Sequence, residues 1–137
     1  MQRYDKFLKY QENDLKYEFE MFIRSKQGIL IYSEPFLHNL CIEGWLIHAR
    51  RLIEIFELDQ IDKKWEQRRG LISEHLAHAN PSNRLDPRPE KRANPCWSIE
   101  DFYIELIKDI EKIANKYKSE FKYYDLLIDI LNSAKNA

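Results

Sequence analysis

The clearest pattern of apolar and polar positions lies between Pro35 and Glu57. At 100° per residue, the polar side chains of this stretch collect on one narrow stripe of a helical cylinder: Asn39, Glu43, Arg50, Glu54 and Glu57. Nearly all the remaining positions on the cylinder are apolar. A helix with so wide an apolar surface packs against neighbours on several sides. The pattern therefore predicts a central, mostly buried helix in an all-α fold.

Two polar residues, His48 and Arg51, fall inside the apolar arc of this helix. Buried polar groups need hydrogen-bonding partners. The best local partners lie in the next helix of the chain, which carries His75 and His78. We therefore expect His48 and Arg51 to be largely buried and bonded to that third helix or to the loop after it.

The chain before the central helix predicts one more amphipathic helix. Its apolar positions share one face over residues 3–27, and Gly28 is expected to end it. Ser33 and Glu34, followed by Pro35, form a start signal for the central helix. The two patterns together predict two consecutive helices in the first part of the chain.

A third helix is predicted after the central one. Residues 59–62 are expected to form a short polar connection, and the third helix begins at residues 62–66. It is expected to end near Asn80, because Pro81 cannot continue a helix.

The last part of the chain predicts two further helices. Ser98, with Asp101 three residues later, is typical of a helix N-cap, and a final helix is expected over about residues 120–132. The length of 137 residues is that of one domain. We therefore expect residues 1–137 to form a single all-α domain, a bundle of about five helices with the second one central.

Charge is informative only locally. The net charge is -1, so the chain has no overall basic footprint for nucleic acid. The Pro-rich segment 81–97 is predicted to be a long loop, and it is the one locally basic part of the chain. Three of its arginines are candidate binding residues: Arg84, Arg88 and Arg92.

Two further features bear on location. The start, MQRYDKFLKYQEND, has no apolar core of signal-peptide length, and no apolar run approaches the roughly 20 residues that span a bilayer. Cys41 and Cys96 form neither a disulfide framework nor a CxxC pair. These features predict a cytoplasmic protein that does not contact a membrane.

His75 lies on the predicted third helix, separated by six residues from Arg68 and by five from Arg69. If the helix continues through Gly70, Arg68 lies about 20° from His75 around the axis, and Arg69 about 120° away. This spacing in an all-α chain resembles the Rx4–6H motif of the HEPN superfamily, many members of which are metal-independent endoribonucleases of toxin–antitoxin, CRISPR and abortive-infection systems. The family usually has a polar residue directly after the arginine, whereas here Gly70 follows Arg69 and Arg69 follows Arg68.

The resemblance implies a mechanism and a set of partners. His75 would act as the general acid or base on RNA, and Arg68 or Arg69 would stabilise the charge of the phosphorane. Sites of this family are commonly assembled across a homodimer, and no cofactor is implied. The expected function is therefore RNA cleavage or RNA binding in a bacterial defence or toxin system, with an antitoxin-like protein as a possible partner.

Other interpretations remain open. His48, Arg51 and His75 would serve equally as a structural hydrogen-bond network between two helices. A metal site is a further interpretation, with Glu74, His75, His78 and His48 as candidate ligands. No HExxH motif is present in the sequence, so no metal is predicted. The alternative function is a non-enzymatic helical interaction module, which would bind a protein partner through the Arg-rich loop, with His78 beside it, or through an exposed apolar face.

Overall fold

The computed structural model describes residues 12–77 and 98–137, which form a single all-α bundle without a β-strand among them. A short 3₁₀ turn, Lys118–Glu120, precedes the last helix. The six α-helices of the described residues are α1 (Glu12–Ile31), α2 (Pro35–Ile55), α3 (Leu58–Ile61), α4 (Lys63–Ala77), α5 (Ile99–Lys116) and α6 (Tyr124–Lys135). The predicted all-α bundle is confirmed. The predictions for residues 3–11, for the end of the third helix near Asn80 and for the loop 81–97 lie outside the described residues.

Helix α2 packs against α1, α3 and α4, as its wide apolar surface predicts. Its buried side chains, however, all come from its second half: Trp45, Leu46, His48, Ala49, Leu52, Ile53 and Ile55. In its first two turns, Phe36 and Leu40 are well exposed. The prediction of a helix packed on several sides along its whole length is therefore wrong for this half, because no neighbouring helix of the described bundle covers that part of the surface.

The ends of α1 and α2 correct one prediction and confirm another. Gly28 does not end α1, which continues to Ile31. The backbone N–H of Tyr32 still donates to the carbonyl of Gly28 at 2.9 Å. Helix α2 begins where predicted, because the carboxylate of Glu34 accepts hydrogen bonds from the next backbone N–H groups, those of Phe36 and Leu37.

Close packing between α1 and α2 explains why residue 28 is a glycine, Gly28. A Cβ atom at this position would fall far inside van der Waals contact with Sγ of Cys41 on α2. Farther along the same pair of helices, a Cβ at Gly44 would lie 3.1 Å from Oγ of Ser25. The two glycines therefore let the helices approach each other closely, and neither has a left-handed backbone conformation.

The short polar connection predicted for residues 59–62 contains a helical turn, α3. Glu57 has a left-handed backbone, with φ of 53°, and turns the chain out of α2. The following Leu58 is almost completely buried, and it anchors the short helix α3 to the core. The side chain of Asp62 then accepts from the N–H of Lys64, at the predicted start of the next helix. Helix α4 runs through Gly70 without a break.

The C-terminal helices follow the predicted order. Ser98 caps α5 through the N–H of Asp101, at 3.3 Å, which confirms the predicted cap. The last helix begins later than expected and ends at Lys135, because the 3₁₀ turn occupies the positions where its start was predicted. Helix α6 packs against α1 and α5 and buries three residues, Leu127, Leu131 and Ala134.

Aromatic side chains from four helices meet in the core. The ring of Phe22 on α1 stacks on Trp45 of α2 and on Tyr103 of α5, with ring centroids 5.6 and 5.3 Å apart. Phe102 of α5 meets Trp45 and Trp65 edge-on. Since aromatic pairs add to the stability that burial alone provides, this cluster joins α1, α2, α4 and α5 into one body.

Candidate functional site

Arg68 joins α4 to α5. Its Nη1 donates to Oε2 of Glu105 at 2.9 Å, and the guanidinium lies over the rings of Trp65 and Phe102. The side chain is only 17% exposed. The hydrogen bond from Arg68 lowers the pKa of Glu105 below its ordinary value; burial opposes this shift, and Lys64 adds to it. Arg68 therefore neutralises a carboxylate of its own chain.

Arg69 contacts a different pair of carboxylates. Its Nε donates to Oε1 of Glu54 on α2 at 3.0 Å and lies 3.7 Å from Oδ2 of Asp59 on α3. The two neighbouring arginines thus bind carboxylates on different helices.

The remaining predicted catalytic residue, His75, is partly buried near the end of the described part of α4. Of the two residues expected to flank it on the inner face, Ile72 is buried whereas Leu71 is exposed. A catalytic role for His75 with Arg68 or Arg69 stays a prediction. Four other predicted binding residues lie outside the described part of the chain: His78, Arg84, Arg88 and Arg92.

His48 and Arg51 do meet, but through a residue that the sequence analysis missed. Both side chains bind the carboxylate of Glu18 on α1: His48 Nδ1 lies 2.8 Å from Oε2, and Arg51 Nε lies 2.9 Å from Oε1. Within the described residues, the partner of both side chains therefore lies on α1 and not on the predicted third helix. The loop after that helix, the other predicted partner, lies outside the described residues. His48 is buried as predicted, but the side chain of Arg51 is 58% exposed, which corrects the expectation that it is buried.

The signal for Glu18 was present in the periodicity of α1. Three residues after the buried Leu15, Glu18 falls at the edge of the apolar face, and Lys26 falls within it, seven residues after Phe19. Both charged side chains are buried. Like Glu18, Lys26 is paired with an oppositely charged group: its Nζ lies 3.0 Å from a carboxylate oxygen of Glu100.

Lys26 also lies over the ring of Tyr103, with Nζ 4.0 Å from the ring centroid. The hydroxyl of Tyr103 donates to the backbone carbonyl of Ala134 at 2.6 Å. Burial, and secondly the charge of Glu100, raises the pKa of Tyr103 to about 12. Because each group has a partner, this second cluster joins α1, α5 and α6 and offers no free reactive group.

Among the described residues, a group of exposed apolar side chains lies where α1 ends and α2 begins. We call it the tip surface: Leu30, Ile31, Tyr32, Phe36, Leu37 and Leu40, with exposed fractions between 39% and 74%. Ile47 adds another partly exposed apolar side chain farther along α2. The sequence analysis assigned the α2 members of this surface to the core.

Two further observations on the described residues concern metal binding and membrane crossing. Residues 12–77 and 98–137 contain no group of three or more His, Cys, Asp or Glu side chains that could hold a metal ion. No helix in this part of the chain is long and apolar enough to cross a membrane.

Comparison with known proteins gave no relative: no family model, no curated protein and no solved structure matches this chain. The resemblance to HEPN proteins therefore rests on the all-α bundle and on the Arg–His spacing alone.

Proposed function

We propose that this protein is a non-enzymatic helical interaction module that binds a protein partner through the tip surface. The observation that supports the proposal is the exposure of six large apolar side chains at one end of the α1–α2 pair. Folded monomers rarely expose contiguous apolar patches larger than a few hundred Å², and larger ones mark interaction sites.

The size of the tip surface fits such a role. Aromatic side chains such as Tyr32 and Phe36 present roughly 150–250 Å² each when fully exposed. Together with the four aliphatic side chains, and at the observed exposed fractions, they present several hundred Å². A standard protein interface buries about 800 Å² on each partner. The tip surface thus forms the apolar centre of an interface, around which a polar rim completes the contact area.

The contacts of α4 give less support to RNA cleavage. Phosphorane stabilisation needs a cation directed at the substrate, whereas Arg68 is paired with Glu105, and Arg69 with Glu54. A phosphate would have to displace the carboxylate of Glu105 from the terminal amino group of Arg68, whose side chain is only 17% exposed. The interaction module requires no such rearrangement, because its surface is already exposed.

Two substitutions with equal starting exposure test the proposal. Leu40, in the tip surface, and Ile104, on α5, are both 54% exposed. In tagged protein isolated from its own cells at native abundance, Leu40→Glu is expected to weaken the complex at least thirtyfold, which corresponds to about 2 kcal/mol at an interface hot spot. Ile104→Glu is the matched control and should leave the complex intact. A complex equally stable in both variants would contradict the proposal.

The RNA hypothesis is tested separately. Purified protein is incubated with total RNA in EDTA, beside the His75→Ala variant. If the unmodified protein cleaves RNA and the variant does not, a non-enzymatic function is contradicted. Intact RNA in both reactions is the result that the interaction module predicts.

A further inference from the structure

The carboxylate of Glu18 positions two cationic or ionisable side chains on α2. Glu18 is 5% exposed, and each of its oxygen atoms has one partner, His48 Nδ1 for Oε2 and Arg51 Nε for Oε1. The two partners lie three residues apart, so they are neighbours on one face of the helix. A buried carboxylate bound in this way fixes the orientation of both side chains.

The orientation of His48 leaves its other ring nitrogen available. A carboxylate oxygen accepts, so Nδ1 carries the proton in the neutral ring and Nε2 keeps its lone pair. Within the described residues, the side-chain atoms that are fully shielded and form no hydrogen bond are Trp45 Nε1, Arg50 Nε and Asp59 Oδ1. Nε2 of His48 has no hydrogen bond there and is not one of these atoms, so the small exposed part of His48 includes Nε2.

Arg51 supplies hydrogen-bond donors beside this ring. Only Nε is engaged by Glu18, and more than half of the side chain is exposed. Its two terminal amino groups bind no other residue in the described part of the chain, and they retain the fork that matches phosphate oxygens. The exposed Tyr17 meets His48 edge-on, at 5.8 Å between centroids. Within the described part of the chain, the ionisable groups that contact His48 or its carboxylate partner are Glu18, Arg51 and Tyr17.

We propose that Arg51 and His48, positioned by Glu18, form a binding site for a phosphate monoester. The terminal amino groups of Arg51 bind two phosphate oxygens. A phosphate monoester carries one proton in its monoanionic form, which it loses with a pKa of about 6, and Nε2 of His48 accepts a hydrogen bond from this P–OH group. A phosphodiester or a sulfate has no such proton to give.

The experiment uses inorganic phosphate as the probe. Protein with ¹⁵N-labelled histidine is titrated with phosphate near pH 7 while chloride keeps the ionic strength constant, and the ring nitrogens of His48 are followed by NMR. We expect saturable binding that shifts the ¹⁵N resonance of Nε2, because this atom then accepts a hydrogen bond from the phosphate. Arg51→Gln should weaken binding at least tenfold, because a charge-assisted bidentate contact is lost. Arg24→Gln, which alters an exposed arginine paired with Glu20, is the control and should bind like the unmodified protein.

Three results would overturn the site. The first is a phosphate response of His48 that does not saturate. The second is equal affinity of the Arg51→Gln and unmodified proteins, with circular dichroism showing that both are folded. The third is sulfate binding as tightly as phosphate, which would mean that a general anion site is present and that a hydrogen bond from a P–OH group to His48 contributes nothing. The tip surface takes no part in this test, so its outcome is independent of the proposed function.

Discussion

Replacing Gly28 by alanine should destabilise the protein, although alanine is the better helix former. In a helix interior, Gly→Ala contributes about 1 kcal/mol of stability. At Gly28 the new methyl group would overlap Sγ of Cys41 and lie 3.4 Å from its Cβ. Overpacking of this kind costs about 1–3 kcal/mol. The expected net result is a loss of about 1 kcal/mol, because the sulfur must turn to another rotamer or the two helices must separate.

Gly70 provides the matched control. It also lies inside a helix, α4, but it is exposed, and a Cβ atom there would have nothing within 4 Å. Gly70→Ala should therefore stabilise the protein by about 1 kcal/mol. The same substitution is thus expected to change the free energy of unfolding in opposite directions at the two positions, so that the two variants differ by about 2 kcal/mol.

Urea unfolding followed by circular dichroism measures both effects. The double variant Gly28→Ala/Cys41→Ala removes the overlapping sulfur. Its free energy of unfolding should exceed, by at least about 1 kcal/mol, the value obtained by adding the effects of the two single substitutions. Two results would refute the reasoning: a Gly28→Ala variant as stable as Gly70→Ala, or a double variant whose free energy of unfolding is simply additive. Either would mean that α1 and α2 are not in close contact at this point.

Three further predictions concern polar contacts. Glu18→Gln should lower the free energy of unfolding by about 1–3 kcal/mol in urea titrations, because a buried acceptor of two hydrogen bonds loses its charge; unchanged stability would contradict the buried cluster. Ser98→Ala should cost about 1 kcal/mol through the lost cap of α5, and helicity and stability equal to those of the unmodified protein would show that the cap is unimportant. Arg68 lowers the pKa of Glu105 in the folded protein below the pKa that Glu105 has in the unfolded chain. The ionised carboxylate therefore stabilises the folded protein at a pH above the unfolded-chain pKa, and this stabilisation is lost as the pH falls through the folded-state pKa. Acid titration of Glu105→Gln should therefore show a smaller loss over this range, whereas an identical pH profile would contradict the pairing.

Local sequence signals account for the parts of the fold that were predicted correctly. The caps at Glu34 and Ser98 depend on residues within three positions, so composition and spacing are enough to find them. Gly28 was misread because the same residue type serves two purposes, ending helices and permitting close contact. Only the position of Cys41 on the neighbouring helix decides between them.

The candidate sites depended on contacts between elements distant in sequence. His48 and Glu18 are separated by 30 positions, so the choice of α1 over α4 as partner follows from how the helices pack. The exposure of Phe36 and Leu40 likewise depends on where neighbouring helices end. Periodicity predicts which residues share a face of a helix, but it does not predict whether that face is covered.

Site-specific photocrosslinking tests the central claim, that the tip surface binds a protein, most directly. A benzophenone amino acid replaces Phe36 in the tip surface or, as a control, Ile104 on α5, and the protein is irradiated in its own cells. We predict one discrete adduct at position 36, absent at position 104 and lost when Leu40→Glu is added, with a mass that identifies the partner or a second copy of the chain. Absence of an adduct at position 36, or the same adducts at both positions, would contradict the claim.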